Sequence, residues 1–133
     1  MYGGNPKTRP LILANIILAL VTSALALDPN VDLTCSIEKL QADYLDNPIA
    51  AKKKYNAKYL AIRATVEEIN IFYPEKGDAL GYVLSRGVAF FFQLDGTVAD
   101  QAAKLHKGDK VWIYGFVIEP SVLATGFEII NTN

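Results

Sequence analysis

The spacing of the apolar residues changes from a helical period to a strand period at Tyr59. This change limits the chain to a small, mainly β fold that helices precede. Before Tyr59 the apolar residues recur at the spacing of one helix face, namely Ile37, Leu40, Tyr44 and Leu45. After it they alternate one by one through Val66, which predicts a half-buried strand.

The helical segment, residues 33–57, is predicted to form two short helices that pack on the β domain. Asn47 and Pro48 interrupt it, so we expect Asn47 to cap the second helix and Pro48 to occupy its first turn. Thr34 or Ser36 can cap the first helix, because either hydroxyl can accept a bond from a free backbone N–H group.

Five strands and one helix are predicted in residues 58–133. Up to Val66 the apolar residues of the first strand alternate at even-numbered positions, but after Glu67 and Glu68 they continue at the odd-numbered positions Ile69 and Ile71. This shift by one residue predicts a β-bulge and a sharp bend in the first strand. A helix that Thr97 caps and Gly108 ends should follow the third strand. The later strands are expected at residues 81–85, 88–94, 110–119 and 125–131. This order is typical of the OB-fold, a five-stranded Greek-key β-barrel.

Shared parity along these strands predicts which side chains form the barrel core. The expected core residues are Leu60, Ile62, Val66, Phe90, Phe92, Val111, Ile113 and Phe127. Ile129 is expected to point inward beside Phe127. Phe91 has the opposite parity, so we expect either Leu40 or Tyr44 of the first helix, or a partner surface, to cover it.

Several short motifs resemble those of one known family. They are Tyr44-x-x-Asn47, Ala51, Lys54-Tyr55, Lys58-Tyr59-Leu60 with Val66, and Leu105-x-Lys107-Gly108-Asp109-x-Val111-x-x-x-Gly115. From Ser36 to Ile130 the chain resembles the tRNA_anti-like family of OB-fold proteins. The resemblance implies two helices, an OB barrel and an N-terminal export or lipoprotein signal.

The N-terminal residues are typical of a secretory signal. Leu11–Leu27 is a run of seventeen residues without a charge, and Lys7 and Arg9 precede it. We predict a signal peptide over residues 1–26 with cleavage after Ala26, and therefore a periplasmic or secreted protein. The alternative is an uncleaved membrane anchor, which would also place the rest of the chain outside the cytoplasm.

The single cysteine, Cys35, excludes an intramolecular disulfide. The residues before it do not follow the lipoprotein pattern, so lipidation is not predicted. In an oxidising compartment Cys35 is expected to be buried and inert, or else to form a bond between two chains.

The sequence has no motif typical of catalysis or metal binding, so we expect no catalytic residue, no metal and no cofactor. His106 has no sequence partner and is expected to be exposed. Glu67 and Glu68 point to opposite faces of a strand, so they would form a cation site only if the bulge brought them together. We expect a solvated bend there, and a solvated helix face rather than a phosphate site at Lys52–Lys54.

The predicted function is a non-enzymatic, extracytoplasmic OB-fold binding or interaction module. OB barrels bind through strands two and three and the adjoining loops. The candidate ligand-binding residues on that face are Tyr59, Arg63, Tyr82, Arg86, Phe91 and Gln93. The expected partner is a peptide, a protein, a small ligand or a second copy of the chain. The alternative is a nucleic-acid-binding OB domain, which the net charge of −1 disfavours.

Overall fold

The computed structural model describes residues 28–130, and within them the chain forms three helices and seven strands. The strands are β1 (Leu33–Ser36), β2 (Leu60–Thr65), β3 (Glu68–Phe72), β4 (Leu80–Ser85), β5 (Val88–Gln93), β6 (Lys110–Ile118) and β7 (Ser121–Ile129). The helices are α1 (Ile37–Asp46), α2 (Pro48–Tyr55) and α3 (Thr97–Ala102). The predicted signal peptide or anchor lies outside the described residues.

The two N-terminal helices begin at the predicted polar caps. The Ser36 hydroxyl accepts a hydrogen bond from the Lys39 amide at 3.1 Å, and Asn47 Oδ1 accepts one from the Ala50 amide at 3.1 Å. Thr34 lies within β1 and does not cap α1. Leu45 is 86% exposed, so its predicted place on the buried face is wrong. The buried stripe of α1 is narrow and includes Ile37 and Leu40.

All seven strands belong to one mixed sheet in the order β1-β2-β6-β7-β5-β4-β3. The pairs β1–β2 and β5–β7 are parallel, and the other neighbouring pairs are antiparallel. Although β2 and β3 are consecutive along the chain, β2 pairs with β6 while β3 pairs with β4. The two halves of the predicted first strand therefore serve different parts of the sheet, which is an OB-type arrangement.

The prediction of five strands closed into a barrel differs from the structure, where the ladder has seven strands and is open at β1 and β3. The Val66 amide donates to the Asp109 carbonyl, whereas the Glu67 amide donates to the Leu84 carbonyl, each at 2.9 Å. These opposed bonds divide the predicted first strand into β2 and β3. The other added strand, β1, forms from residues that the sequence assigned to the helical segment.

The bounds of α3 and β7 also differ from prediction. Helix α3 ends at Ala102 rather than at Gly108, and Gly96, with a φ of 101°, is its N-cap in place of Thr97. Gly108 instead lies in the following loop, where its amide donates to the Val66 carbonyl at 2.7 Å. Strand β7 begins at Ser121, four residues earlier than expected.

Ile129 is 49% exposed, so its predicted inward position is wrong. In the β6–β7 ladder Tyr114 lies opposite Gly126, whereas the next residue, Gly115, lies opposite Ala124. This register shift leaves Thr125 as an extra residue in β7. Phe127 and Ile129 keep the same parity after this shift, and Ile129 pairs with Val111, but Ile129 is the last residue of β7.

The predicted core is confirmed, because each of its eight side chains is at most 6% exposed. Helices α1 and α2 contribute to the same cluster through Ile37, Leu40, Ala51 and Tyr55. Among residues 28–130 no helix is long and apolar enough to cross a membrane.

Candidate ligand-binding face

A row of large side chains crosses the face of the sheet that lies opposite the core. Tyr82 of β4 pairs with Phe91 of β5, Phe91 pairs with Leu123 of β7, and Leu123 pairs with Phe116 of β6. The Tyr59 ring, just before β2, lies 5.3 Å from the Phe116 ring between centroids. We call these five residues the outer row. They alternate along their strands with buried residues such as Phe90 and Phe92.

Much of the outer row remains open to solvent. Leu123 is 43% exposed and Phe116 is 37% exposed, while Tyr59, Tyr82 and Phe91 are half-buried. An apolar side chain exposed alone is ordinary on a protein surface, but a contiguous set marks a contact surface. The outer row is contiguous because each member lies beside the next through strand register or ring contact.

Phe91 is covered by neighbouring rings of the sheet rather than by the first helix. Its ring centroid lies 5.8 Å from that of Tyr82 and 5.9 Å from that of Phe72. The predicted cover by Leu40 or Tyr44 is not seen, because Leu40 is buried in the core and Tyr44 stacks on a ring of α2. Cover by a partner surface stays a prediction.

Five of the six predicted site residues lie on this face, and Arg63 is among them, because it has the same parity as Tyr59 and pairs with Trp112 of β6. Tyr59, Tyr82 and Phe91 belong to the outer row, and Gln93 follows Phe91 on the same side of β5, opposite Leu80. The sequence identified these five because strand parity alone separates them from the core.

Neither arginine predicted for the site belongs to the outer row, although Arg63 shares its face of the sheet. The Arg63 guanidinium lies over the Trp112 ring at 5.9 Å from its centroid. Arg86 stands in the β4–β5 turn, where its Nε donates to Gln41 Oε1 at 3.0 Å and lies 4.0 Å from Glu38 Oε2. The structure does not bring either guanidinium into the outer row.

Sequence reasoning did not select several large side chains of this face, including three that belong to the outer row or lie beside it. These three are Phe116, Leu123, which lies before the predicted start of the last strand, and Phe72, which follows the parity shift after Glu68. The alternation of Val122 and Ala124 with Leu123 and Thr125 is the signal that would have extended β7 to include Leu123.

Glu68 accepts two side-chain hydrogen bonds, whereas the sequence predicted only a solvated bend at this position. The Tyr82 hydroxyl donates to Glu68 Oε2 at 2.9 Å, and Asn70 Nδ2 donates to the same oxygen at 3.2 Å. These bonds, the Tyr82 bond most strongly, lower the pKa of Glu68 below its ordinary value. Glu68 is therefore held as a carboxylate at one side of the outer row.

The other reactive side chains have structural contacts. His106 is 84% exposed, and its Nδ1 lies 3.9 Å from Asp109 Oδ2. Burial raises the pKa of the Cys35 thiol to about 11, which makes it a poor nucleophile. Within residues 28–130 no three His, Cys, Asp or Glu side chains are grouped so that they could hold a metal ion.

The basic run on α2 is partly neutralised. Lys54 Nζ lies 3.1 Å from Asp43 Oδ2 and 5.2 Å from the centroid of the Tyr55 ring. Lys39 of α1 lies 2.8 Å from the other oxygen of the same carboxylate. The Lys52 and Lys53 side chains are exposed.

A separate cavity of about 360 Å³ lies between α1 and the β6–β7 turn. Its walls are mostly apolar and include Leu40, Val117 and Val122. Tyr44 and Glu119 both line this cavity, and burial, together with the nearby charge of Glu119, raises the pKa of the Tyr44 phenol to about 12.

Comparison with known proteins agrees with this fold. Residues 19–122 match the tRNA_anti-like family. A crystal structure of a putative nucleic acid-binding lipoprotein from Klebsiella pneumoniae subsp. pneumoniae MGH 78578 is similar, with a TM-score of 0.56 and 17% sequence identity. The similarity covers 82% of this chain and 96% of that chain. At this identity the likeness shows the fold alone. No curated protein sequence matches the chain.

Proposed function

The chain belongs to the tRNA_anti-like family, and on that premise we propose that it is a non-enzymatic module that binds an extended protein or peptide segment along the outer row. The observation that supports this proposal most strongly is that Tyr82, Phe91, Leu123 and Phe116 lie side by side on neighbouring strands. It crosses β4 and β5, which correspond to the second and third strands of an OB-fold. This is the face through which OB-folds bind their ligands.

The composition of the outer row favours a polypeptide partner. Its five side chains carry no formal charge at neutral pH, and four of them form two ring pairs, Tyr59 with Phe116 and Tyr82 with Phe91. A protein segment with apolar side chains would remove Leu123 and Phe116 from water, and burial of each such side chain contributes about 1.5–3 kcal/mol.

A non-enzymatic role is supported by the positions of the reactive side chains. His106 is near Asp109 at the surface, and the raised pKa of Cys35 suppresses its thiolate. Neither residue belongs to the outer row.

We also propose that the module works outside the cytoplasm, as the uncharged run Leu11–Leu27 indicates. Mass measurement of the protein recovered from cell fractions tests this directly. Cleavage after Ala26 supports a periplasmic or secreted protein. An intact N-terminus in the membrane fraction supports the anchor, and recovery of the uncleaved chain from the cytoplasm contradicts both.

Nucleic acid is the second candidate, and the description of the Klebsiella protein as a putative nucleic acid-binding lipoprotein favours it. Single strands bind OB-folds by stacking bases on aromatic rings beside basic groups that contact phosphates. Here Arg86 is engaged with Gln41 away from the outer row, and Arg63, on the same face, lies over Trp112, so a single arginine would supply the basic component of such a site.

Fluorescence anisotropy with two labelled probes separates the candidates. One probe is a short peptide of alternating valine and threonine, and the other is a short oligothymidylate, each titrated with the full chain. We expect the peptide to bind, and Phe91→Ser or Leu123→Ser to weaken binding by about tenfold or more. Ile49→Ser on α2 is the matched control, because Ile49 is 72% exposed and lies outside the outer row.

Three results would count against the proposed peptide-binding function. Tighter binding of the oligothymidylate, with an affinity that falls steeply as salt rises, would support the nucleic-acid function. Peptide binding that the Phe91 and Leu123 variants leave unchanged would refute the proposed face, and absence of binding by both probes would refute the proposal.

A further inference from the structure

We infer that the β3 end of the outer row is a binding notch for a cationic side chain, lysine or arginine, of the bound segment. The notch consists of Phe72, Tyr82, Phe91 and Glu68. This inference rests on the proposed function, since it specifies the chemistry of a partner that the outer row would hold.

The three rings form inclined walls rather than a flat platform. Phe91 stands between the others, with its centroid 5.8 Å from Tyr82 and 5.9 Å from Phe72. Its ring plane makes angles of 55° with Tyr82 and 67° with Phe72. A planar base stacks best on a ring whose face lies open and parallel to it, whereas inclined rings can direct their negative faces toward a single cation.

Glu68 supplies a negative charge at the same place. Tyr82 is both a wall of the notch and the donor of the 2.9 Å hydrogen bond to Glu68 Oε2, so the ring and the carboxylate are fixed relative to each other. The second donor, Asn70, binds the same oxygen. Both donors are neutral, so they orient the carboxylate without cancelling its charge.

Glu68 lacks the ion pair that three other carboxylates of the described surface have. Asp43, Glu38 and Asp109 each lie within 4.0 Å of a basic side chain of the protein itself. Within residues 28–130 Glu68 has no such ion pair, although the charge of Lys107 also lowers its pKa. Its charge is thus available to a cation from outside the chain.

A lysine or arginine side chain fits both parts of the notch. Its aliphatic stem can lie along the exposed edge of Phe72, which is 46% exposed, while its charged end meets the rings and Glu68. A cation within about 6 Å of an aromatic centroid is attracted to the ring face. The uncharged outer row beside the notch excludes water from the bound segment and strengthens this attraction.

Three peptides that differ at one central position test the inference on the full chain. Each has alternating valine and threonine, with lysine, norleucine or glutamate at the centre. Isothermal titration should show lysine binding about tenfold more tightly than norleucine, and glutamate binding most weakly. This comparison uses the unaltered chain, so it does not depend on whether any variant folds.

Glu68→Gln should remove the preference for lysine while the norleucine peptide binds as before, because glutamine keeps an oxygen that can accept from Tyr82. Glu67→Gln is the matched control. Glu67 is the adjacent exposed carboxylate, and it lies outside the notch. The control variant should keep the lysine preference unchanged.

The outcomes distinguish this inference from the proposed function. Equal binding of lysine and norleucine peptides, both weakened by Leu123→Ser, would overturn the cation notch and leave the binding face intact. A lysine preference that survives Glu68→Gln would also overturn the notch. Failure of all three peptides to bind would overturn both proposals, and displacement of a bound peptide by oligothymidylate at equal concentration would favour nucleic acid.

Discussion

The Phe92 ring occupies the space that a side chain at Gly81 would need. The destabilisation caused by substituting Gly81 should therefore depend on whether Phe92 is present. Gly81 of β4 lies opposite Phe92 of β5. A Cβ atom built on Gly81 would lie 2.4 Å from Phe92 Cε2 and 2.5 Å from Cζ, closer than non-bonded atoms can approach. Phe92 is only 4% exposed and its ring packs edge-on against Phe127, with centroids 5.4 Å apart, so it has little room to move.

The magnitudes follow from this geometry. Phe92→Ala should lower the free energy of unfolding by about 3–5 kcal/mol, because it removes a buried ring and leaves a cavity. Gly81→Ala alone should cost about 1–3 kcal/mol through overpacking against the ring. In the Phe92→Ala background the added methyl group enters the space that the ring has left. The cost of Gly81→Ala should then nearly vanish, which gives a coupling energy of about 1–3 kcal/mol.

Urea unfolding followed by tryptophan fluorescence measures all four proteins, since Trp112 is the single tryptophan of the chain. Additive effects, with a coupling below about 0.5 kcal/mol, would show that the ring does not lie over Gly81. A loss below about 1 kcal/mol for Phe92→Ala would show that Phe92 is not a core residue.

The remaining predictions concern the helical segment and the cysteine. Asn47→Ala removes the cap of α2, so thermal unfolding should show a loss of about 0.5–2 kcal/mol. Hydrogen bonds from Lys39, Tyr55 and Lys54 hold the pKa of Asp43 well below its usual range. The stability from these bonds is therefore complete above the ordinary carboxyl pKa of about 4 and declines as pH falls below it. Asp43→Asn should reduce this acid dependence in urea titrations at a series of pH values, and an unchanged profile would refute the link. Burial raises the pKa of Cys35 to about 11, so a disulfide reagent at pH 8 should react far more slowly with the folded chain than with the unfolded chain. Equal rates would contradict this burial.

Local chemistry made much of the fold predictable from the sequence. The period-2 alternation identified the buried side of β2, β5 and β6, and side-chain oxygens identified the caps at Ser36 and Asn47. The open seven-stranded ladder was not predictable in this way. It depends on where the backbone bonds of Val66 and Glu67 go, and on the pairing of β1 with β2, which are contacts distant in sequence.

In the candidate site, too, features set by local strand geometry were predictable and contacts between distant residues were not. Parity correctly placed Tyr82 and Phe91 on the outer face, because it depends only on strand geometry. It could not place Arg86, whose side chain is drawn to Gln41 on α1 by tertiary packing. Nor could it show that Tyr82 binds Glu68, since this contact joins β3 and β4 across the sheet.

The position of bound peptide on the chain tests the central claim most directly. Amide chemical shifts of the isotope-labelled full chain, recorded during titration with the valine–threonine peptide, report which strands the peptide contacts. The account predicts that the largest changes fall on Tyr82, Phe91, Leu123 and Phe116, with little change at Ile49. Changes concentrated at Lys52–Lys54, or at the cavity between α1 and the β6–β7 turn, would contradict it.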